Sequence, residues 1–276
     1  MKYLINDLPI YYEEYGTGKP VLFLHRFTED HGFMKGCGEL FFQNMEGYRR
    51  IYLDMPGMGK TPAADWITNA DIMLDTLKKF VAEIIGDESF LLIGASYGSY
   101  MSLGMSHDED MNIEGMFLFN PMTVPNSDDR NVPDDVETFE EDGIEEHVEA
   151  EDIENSDNYF DEAIVVTKAN WERYRDEILP AYSLTNKEFC ENYRKNGYAL
   201  SFHEELKELA FANPVTILTG RYDDSAGYED SWNMLKHLPS LTFVALDRVG
   251  PLMHIENTEV FNFHINEWLK RVNLAK

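Results

Sequence analysis

The chain has 276 residues, 43% of them hydrophobic, enough for one large core with room for an inserted subdomain. Its 51 Asp and Glu against 23 Lys and Arg give a formal net charge of −28, a field that repels phosphate backbones and anionic lipid heads and argues against nucleic-acid or membrane partners. No apolar run approaches the roughly 20 residues of a membrane span, and Met1–Asn6 lacks the charged-then-apolar layout of a secretory leader, so the expected compartment is the cytoplasm.

In chain order, Met1–Asn6 and Ile10–Tyr15 read as two strands around a turn at Asp7-Leu8-Pro9, followed by a loop at Gly16–Pro20 and a short buried strand, Val21–Leu24. A helix is expected near Phe33–Asn44 and a strand at Arg50–Leu53. Met73, Leu77, Phe80, Val81 and Ile84 recur at helical spacing behind Thr68-Asn69-Ala70-Asp71, which has the pattern of a capping box. Strand Phe90–Ile93, a helix after Gly98 and strand Gly115–Phe119 come next. The rhythm breaks at residues 122–213 and resumes with strand Val215–Thr219, helix Tyr228–His237, strand Leu241–Leu246 and a final helix striped by Phe261, Ile265, Trp268, Leu269 and Val272. Strands alternating with helices predict an α/β fold: a mostly parallel sheet with helices on both faces. The expected core is 1–121 plus 214–276.

The interruption at 122–213 reads as an acidic, mainly helical lid, with helices at Ala163–Ile178 and Asn186–Asn196 and no strand. Residues 127–162 hold 17 acidic side chains and one basic one, Arg130, so 36 positions carry −16 and the other 240 carry −12. That block predicts a solvated surface or an attraction for cationic substrates. It contains no calcium-loop pattern. The insertion's aromatics Phe160, Trp171, Tyr174, Tyr182, Phe189 and Tyr193 either line a pocket or pack the lid onto the core. Cys37 and Cys190 are far apart, without metal-ligand spacing, and read as two free buried thiols.

Gly94-Ala95-Ser96-Tyr97-Gly98 directly follows the apolar run Phe90–Ile93. Such a strand-to-helix turn lifts the Ser96 hydroxyl out of the sheet and leaves the Tyr97 amide at a helix start, suited to holding an oxyanion. With that element in place the chain resembles the α/β-hydrolase family over nearly its whole length. Leu22–Phe27 is similar to the strand that ends in His-Gly, whose next residue, here Phe27, supplies a second oxyanion amide. Asp54-Met55-Pro56-Gly57-Met58-Gly59-Lys60-Thr61 resembles the Asp-x-Pro-Gly-x-Gly loop. Thr219-Gly220-Arg221-Tyr222-Asp223 is similar to the segment that carries the triad acid, with Asp224 next in line. Gly250–Glu256 resembles the segment that normally reads Gly-His-x-x-x-x-Glu. The resemblance implies a Ser–His–acid triad, no cofactor and no metal.

Two positions depart from that pattern. Arg26 stands where the family has glycine; it disturbs the oxyanion loop, fills part of the pocket, or pairs with an acidic lid residue. Pro251 stands in the slot of the catalytic histidine and has no group that takes a proton. His254 is the first candidate to replace it, although the family's second histidine there is not the base. His147 and His203 belong to the insertion and could overhang the site, His25 belongs to the oxyanion motif, and His31, His107, His237 and His264 fall on expected loops or helix surfaces.

These residues imply a hydrolase for a small neutral or cationic ester or amide. In that reading Ser96 is the nucleophile, Asp223 the acid and His254 the base, with Phe27 and Tyr97 holding the oxyanion. The alternatives are a pseudo-hydrolase that binds a small ligand under its lid, and a lyase. The implied partner is a small molecule, and the sequence implies no oligomeric state.

Overall fold

The computed structural model describes residues 1–144 and 153–275. The opening hairpin is β1 (Lys2–Ile5) and β2 (Leu8–Tyr15). Its turn is Asn6-Asp7, one step earlier than expected: both residues have positive φ, 48° and 66°, the conformation a two-residue hairpin turn demands and Asn and Asp tolerate. Pro9 therefore lies inside β2, opposite Leu4. The chain continues through β3 (Lys19–Leu24), α1 (His31–Phe42), β4 (Tyr48–Leu53) and α2 (Ala70–Ile84). Asn69, not Thr68, caps α2, accepting from the Ile72 N–H at 3.0 Å. Next come β5 (Phe90–Ala95), α3 (Tyr97–Ser106) and β6 (Ile113–Phe119).

The expected insertion contains two strands of two residues, β7 (Phe139–Glu140) and β8 (Val165–Val166), paired in parallel. Its helices are α4 (Ile153–Glu162), α5 (Lys168–Glu177), α6 (Leu179–Leu184) and α7 (Lys187–Gly197). The helix expected at Ala163–Ile178 thus begins later, because Thr167 caps α5 with a bond from Asn170 N and β8 occupies the β-branched pair before it. The chain closes with β9 (Val215–Gly220), α8 (Tyr228–Leu235), β10 (Leu241–Leu246), the short α9 (Met253–Glu256) and α10 (Thr258–Leu274).

Eight strands form the central sheet in the order β1-β2-β4-β3-β5-β6-β9-β10. Only the β1–β2 and β2–β4 pairs are antiparallel. The central parallel strands carry continuous apolar runs, Val21–Leu24 in β3, Phe90–Ile93 in β5 and Met116–Phe119 in β6, because both faces are covered. Leu22 and Leu24 of β3 and Leu92 of β5 face one core, with Met73, Leu77, Phe80 and Tyr100 from α2 and α3. Val21, Phe23, Leu91 and Ile93 face the other, with Phe33 of α1 and Trp268 of α10. No described helix is long and apolar enough to cross a membrane.

The centre of this packing is the start of α3. A Cβ on Gly98 would collide with the carbonyl oxygens of Leu24 and His25, so the helix lies against β3 only because residue 98 has no side chain. The Gly98→Ala variant is expected to lose about 1–3 kcal/mol of stability through this overpacking, measured by urea unfolding.

Candidate active site

β5 delivers Ser96 to the carboxyl edge of the parallel strands, where open α/β sheets bind ligands. Its backbone has φ 46° and ψ −111°, and its side chain makes no capping hydrogen bond. The turn is held by Ser96 N donating to Phe119 O at 3.1 Å and by Ser96 O accepting from Tyr100 N at 3.1 Å and Met122 N at 3.2 Å. Tyr97 is the first residue of α3, and amides there have no intrahelical partner.

After β3 the chain turns sharply. His25 is fully buried, with Nδ1 2.6 Å from Arg26 O, while Nε2 accepts from Met55 N at 2.9 Å. Those contacts fix a neutral imidazole with its proton on Nδ1, so His25 is a loop brace. The positive φ of this turn, 71°, falls on Thr28 and not on Arg26. Arg26 therefore replaces glycine without entering the left-handed region. Its side chain hydrogen-bonds Glu162 at the end of α4 and stands 3.4 Å from Glu29. Its guanidinium lies 5.7 Å from the Phe33 ring centroid. Burial pushes the Glu29 carboxyl up to about 8 against the pull of Arg26, and Glu29 Oε2 has no partner among the described residues. Phe27 is buried, edge-on to Tyr97 at 5.2 Å and stacked on Tyr193 at 5.8 Å.

Asp223 follows β9 and is 1% exposed. Its Oδ1 accepts from Ser225 N (2.8 Å), Ser225 Oγ (2.7 Å) and Ala226 N (2.9 Å). Its Oδ2 is buried without a partner among the described residues. Burial raises the carboxyl to about 6, opposed by those three donors. Asp224 is exposed.

The loop carrying Pro251 is fixed from two sides. Asn120, at a positive φ of 42° just beyond β6, donates from Nδ2 to Gly250 O at 2.9 Å and Pro251 O at 3.3 Å, and its Oδ1 accepts from Gly220 N at 2.9 Å. Glu256 accepts from Gly250 N at 2.7 Å and from Ile164 N at 2.6 Å, tying the loop to the inserted segment; burial lifts its carboxyl to about 7.

His254 points elsewhere. Its ring is wedged against Phe33 at 4.4 Å, Phe119 at 6.3 Å and Phe261 at 6.4 Å. Nε2 stands 3.5 Å from Glu177 Oε2, at the limit of hydrogen-bond reach, and neither ring nitrogen bonds Ser96 or Asp223. Burial lowers the imidazole to about 4, so it is neutral near pH 7. Glu177 is satisfied instead by Arg173, at 2.7 and 2.9 Å.

Among the remaining histidines, His203 meets Tyr100 Oη at 3.1 Å, and His147 lies outside the described residues. His31 is not a surface residue. It is buried at the start of α1, with Nδ1 2.7 Å from Asp54 and Nε2 3.1 Å from Glu13. Burial works against its proton, but the hydrogen bond and charge of Asp54 prevail and raise its pKa. Asp30, His31 and Asp54 converge closely enough to suggest a metal site, but both His31 nitrogens are already engaged, Nδ1 by Asp54 and Nε2 by Glu13.

Sequence reasoning missed Asn120, Glu29, Glu162 and Glu177. Asn120-Pro121 after an apolar strand was the available signal for a turn residue at positive φ. Glu162 and the His254 contact of Glu177 had none, since the partners lie 136 and 77 residues away along the chain; Glu29 stands only three residues from Arg26, a spacing that many exposed pairs share.

Residues 19–258 match the family model described as alpha/beta hydrolase fold. The chain belongs to the alpha/beta hydrolase fold family. It is 22% identical over 265 residues to a pimeloyl-[acyl-carrier protein] methyl ester esterase of Legionella pneumophila, covering 95% of this chain and 99% of that protein. A proline iminopeptidase of Neisseria gonorrhoeae is 32% identical over 114 residues, 40% of this chain and 35% of its own length. An alpha/beta superfamily hydrolase from Oenococcus oeni PSU-1 superposes with a TM-score of 0.89 at 29% identity, covering 99% of both chains. Relatives of this chain thus include an ester hydrolase.

The buried Asp223 gives a pH signature. Its carboxyl binds a proton more tightly in the folded chain, at about 6, than an ordinary aspartate does at 3.8. The folded state then holds the extra proton between those values, so stability falls as pH rises through the window. We expect Asp223→Asn to remove up to about 3 kcal/mol of the difference between pH 4 and pH 7, read from denaturant unfolding at both pH values.

Proposed function

We propose that this chain hydrolyses a small-molecule ester through an acyl-enzyme on Ser96, and does so slowly because, among the described residues, no imidazole hydrogen-bonds the serine. The observation that carries the reading is the Ser96 backbone at φ 46° and ψ −111°. A non-glycine residue held there costs on the order of 1–3 kcal/mol, and the hydroxyl does no capping that would explain it. In the proposed reaction Ser96 Oγ attacks the ester carbonyl, and the developing oxyanion sits against the Tyr97 and Phe27 amides. The alkoxide leaves, and water then cleaves the acyl-enzyme. Helices α4 to α7 act as the lid over this edge of the sheet.

Asp223 is the acid of the ancestral triad, with its unbonded Oδ2 left where an imidazole N–H would be received. His254 is a packing residue between three phenylalanines. Its lowered basicity and its placement beside Glu177 support that role over the expected one of base. The Ser96 proton therefore leaves through water. Removing the histidine of a serine hydrolase costs on the order of 10⁶ in turnover, yet oxyanion stabilisation and binding retain about 10³–10⁴ over water. Esters with good leaving groups are thus within reach and amides are not. A second reading, a scaffold that binds a ligand without turning it over, draws on the same orphan Oδ2 and on Arg26 joined to Glu162 of the lid.

A fluorophosphonate probe is expected to label the folded protein at one site, and Ser96→Ala to abolish that labelling. No labelling of folded wild type would sink the esterase reading. Pro251→His places an imidazole on a loop already fixed by Asn120 and Glu256, and should raise p-nitrophenyl ester turnover at least about tenfold. His254→Gln should leave turnover within about threefold, where loss of a true base would cost roughly 10²–10⁴.

A further inference from the structure

Beside the loop that carries Asp223 lies a cleft of about 600 Å³ whose walls include Arg130, Arg194, Lys195 and Tyr198. Acidic residues outnumber basic ones 51 to 23 in this chain, yet no Asp or Glu lines this cleft. The other described cavities each carry at least one carboxylate. The acidic block at 127–162 contributes its single basic residue here. None of its described carboxylates lines the cleft, as a cationic substrate there would need.

Arg130 is fixed in place without being neutralised. Its Nε donates to Val124 O at 2.8 Å, Nη1 to Ser225 O at 2.8 Å and Nη2 to Pro125 O at 3.2 Å. These acceptors are uncharged carbonyls, and each Nη keeps one N–H for a ligand. Burial first, and then repulsion from Arg194, lower the guanidinium's hold on its proton; Tyr198, Asp223 and Asp230 oppose this without hydrogen-bonding it. The Arg194 guanidinium rests 5.0 Å from the Phe27 ring centroid and 5.8 Å from that of Tyr198. Among the described residues, none of Arg130, Arg194 and Lys195 is in a salt bridge.

The cleft adjoins the site already described. Ser225, which receives Arg130, donates from N and Oγ to Asp223. Tyr198 stacks at 4.6 Å on Tyr97, the residue after Ser96. Phe27 lies under Arg194. We propose that this cleft binds a small organic carboxylate as part of the substrate, so that the preferred ester carries a free carboxylate, as a half-ester of a dicarboxylic acid does. The proposal rests on the esterase reading of Ser96. A planar guanidinium with one N–H left on each Nη suits a two-oxygen carboxylate, and Arg194 and Lys195 add the charge that holds it.

The test uses the full chain and two probes. Glutarate is titrated calorimetrically into wild type and into the Arg194→Met/Lys195→Met double variant; both residues are exposed, so the variant keeps its fold. Binding to wild type that weakens about tenfold or more in the variant supports the cleft. No binding of glutarate to wild type, or equal binding to both proteins, overturns it. Tighter binding of inorganic phosphate than of glutarate overturns the carboxylate assignment.

In parallel, kcat/KM is measured for mono-p-nitrophenyl glutarate and for p-nitrophenyl butyrate. The ratio of charged to neutral ester should fall about tenfold in the double variant, through KM, and stay constant in the distant Lys236→Met. A ratio within about twofold of wild type overturns the substrate assignment while leaving the esterase reading intact. Absence of turnover on both esters, with glutarate binding lost in the variant, removes the esterase reading and keeps the cleft as a carboxylate site.

Discussion

The first turn of α3 lies in contact with the end of β3, and the rest of the site is arranged around that approach. With no side chain at Gly98, the helix closes onto the Leu24 and His25 carbonyls. That closeness forces Ser96 into its unusual backbone state and leaves the Tyr97 amide at a helix start beside the Phe27 loop. The same approach brings the Tyr97 ring against Phe27, Tyr193 and Tyr198, at 5.2, 6.2 and 4.6 Å. The inserted segment thus gains its main aromatic contact with the core at the residue next to the candidate nucleophile. A change in how that segment packs would be felt at the site.

Charge does the remaining stitching. Arg26 joins Glu29 of its own loop to Glu162 of α4, and Glu256 joins the Gly250 loop to the start of β8. Buried ion pairs add little net stability but cost about 3–5 kcal/mol when one partner is lost, because the other is left uncompensated. Arg26 and Glu162 are accordingly a unit, with the Glu29 carboxyl, lifted by burial to about 8, beside them as a neutral group near pH 7. Of the readings the sequence left open for Arg26, the fold shows pairing with an acidic residue of the segment 122–213, Glu162 of α4. Asp223 is the exception to this pairing: among the described residues, one of its oxygens is buried and unmatched.

The uneven charge of the chain has two separate consequences. The described carboxylates at 128–142 are exposed, while the cavity beside the site is lined by Arg130, held on neutral carbonyls, and by Arg194 and Lys195. Net charge therefore gives the wrong sign for the local field. Coulomb interactions fall off within about a Debye length, near 8 Å in physiological salt, so a few fixed cations outweigh a distant acidic surface.

The sequence alone determined the architecture and named the candidate site residues. Short apolar runs, the Gly-x-Ser-x-Gly turn, and the Asp-x-Pro-Gly and Gly-Arg-x-Asp segments are local patterns, and each located its element to within a few residues. Boundaries slipped where a local choice had near-equal alternatives, as at the Asn6-Asp7 turn and the Asn69 cap. Tertiary structure alone decided the partners. Glu162 meets Arg26 across 136 residues, Asn120 reaches Gly250 across 130, and His254 turns to Glu177 through a wall of phenylalanines. No spacing rule encodes such contacts. They arise only when separate elements are brought together, and where a side chain points depends on what surrounds it rather than on its position in a motif.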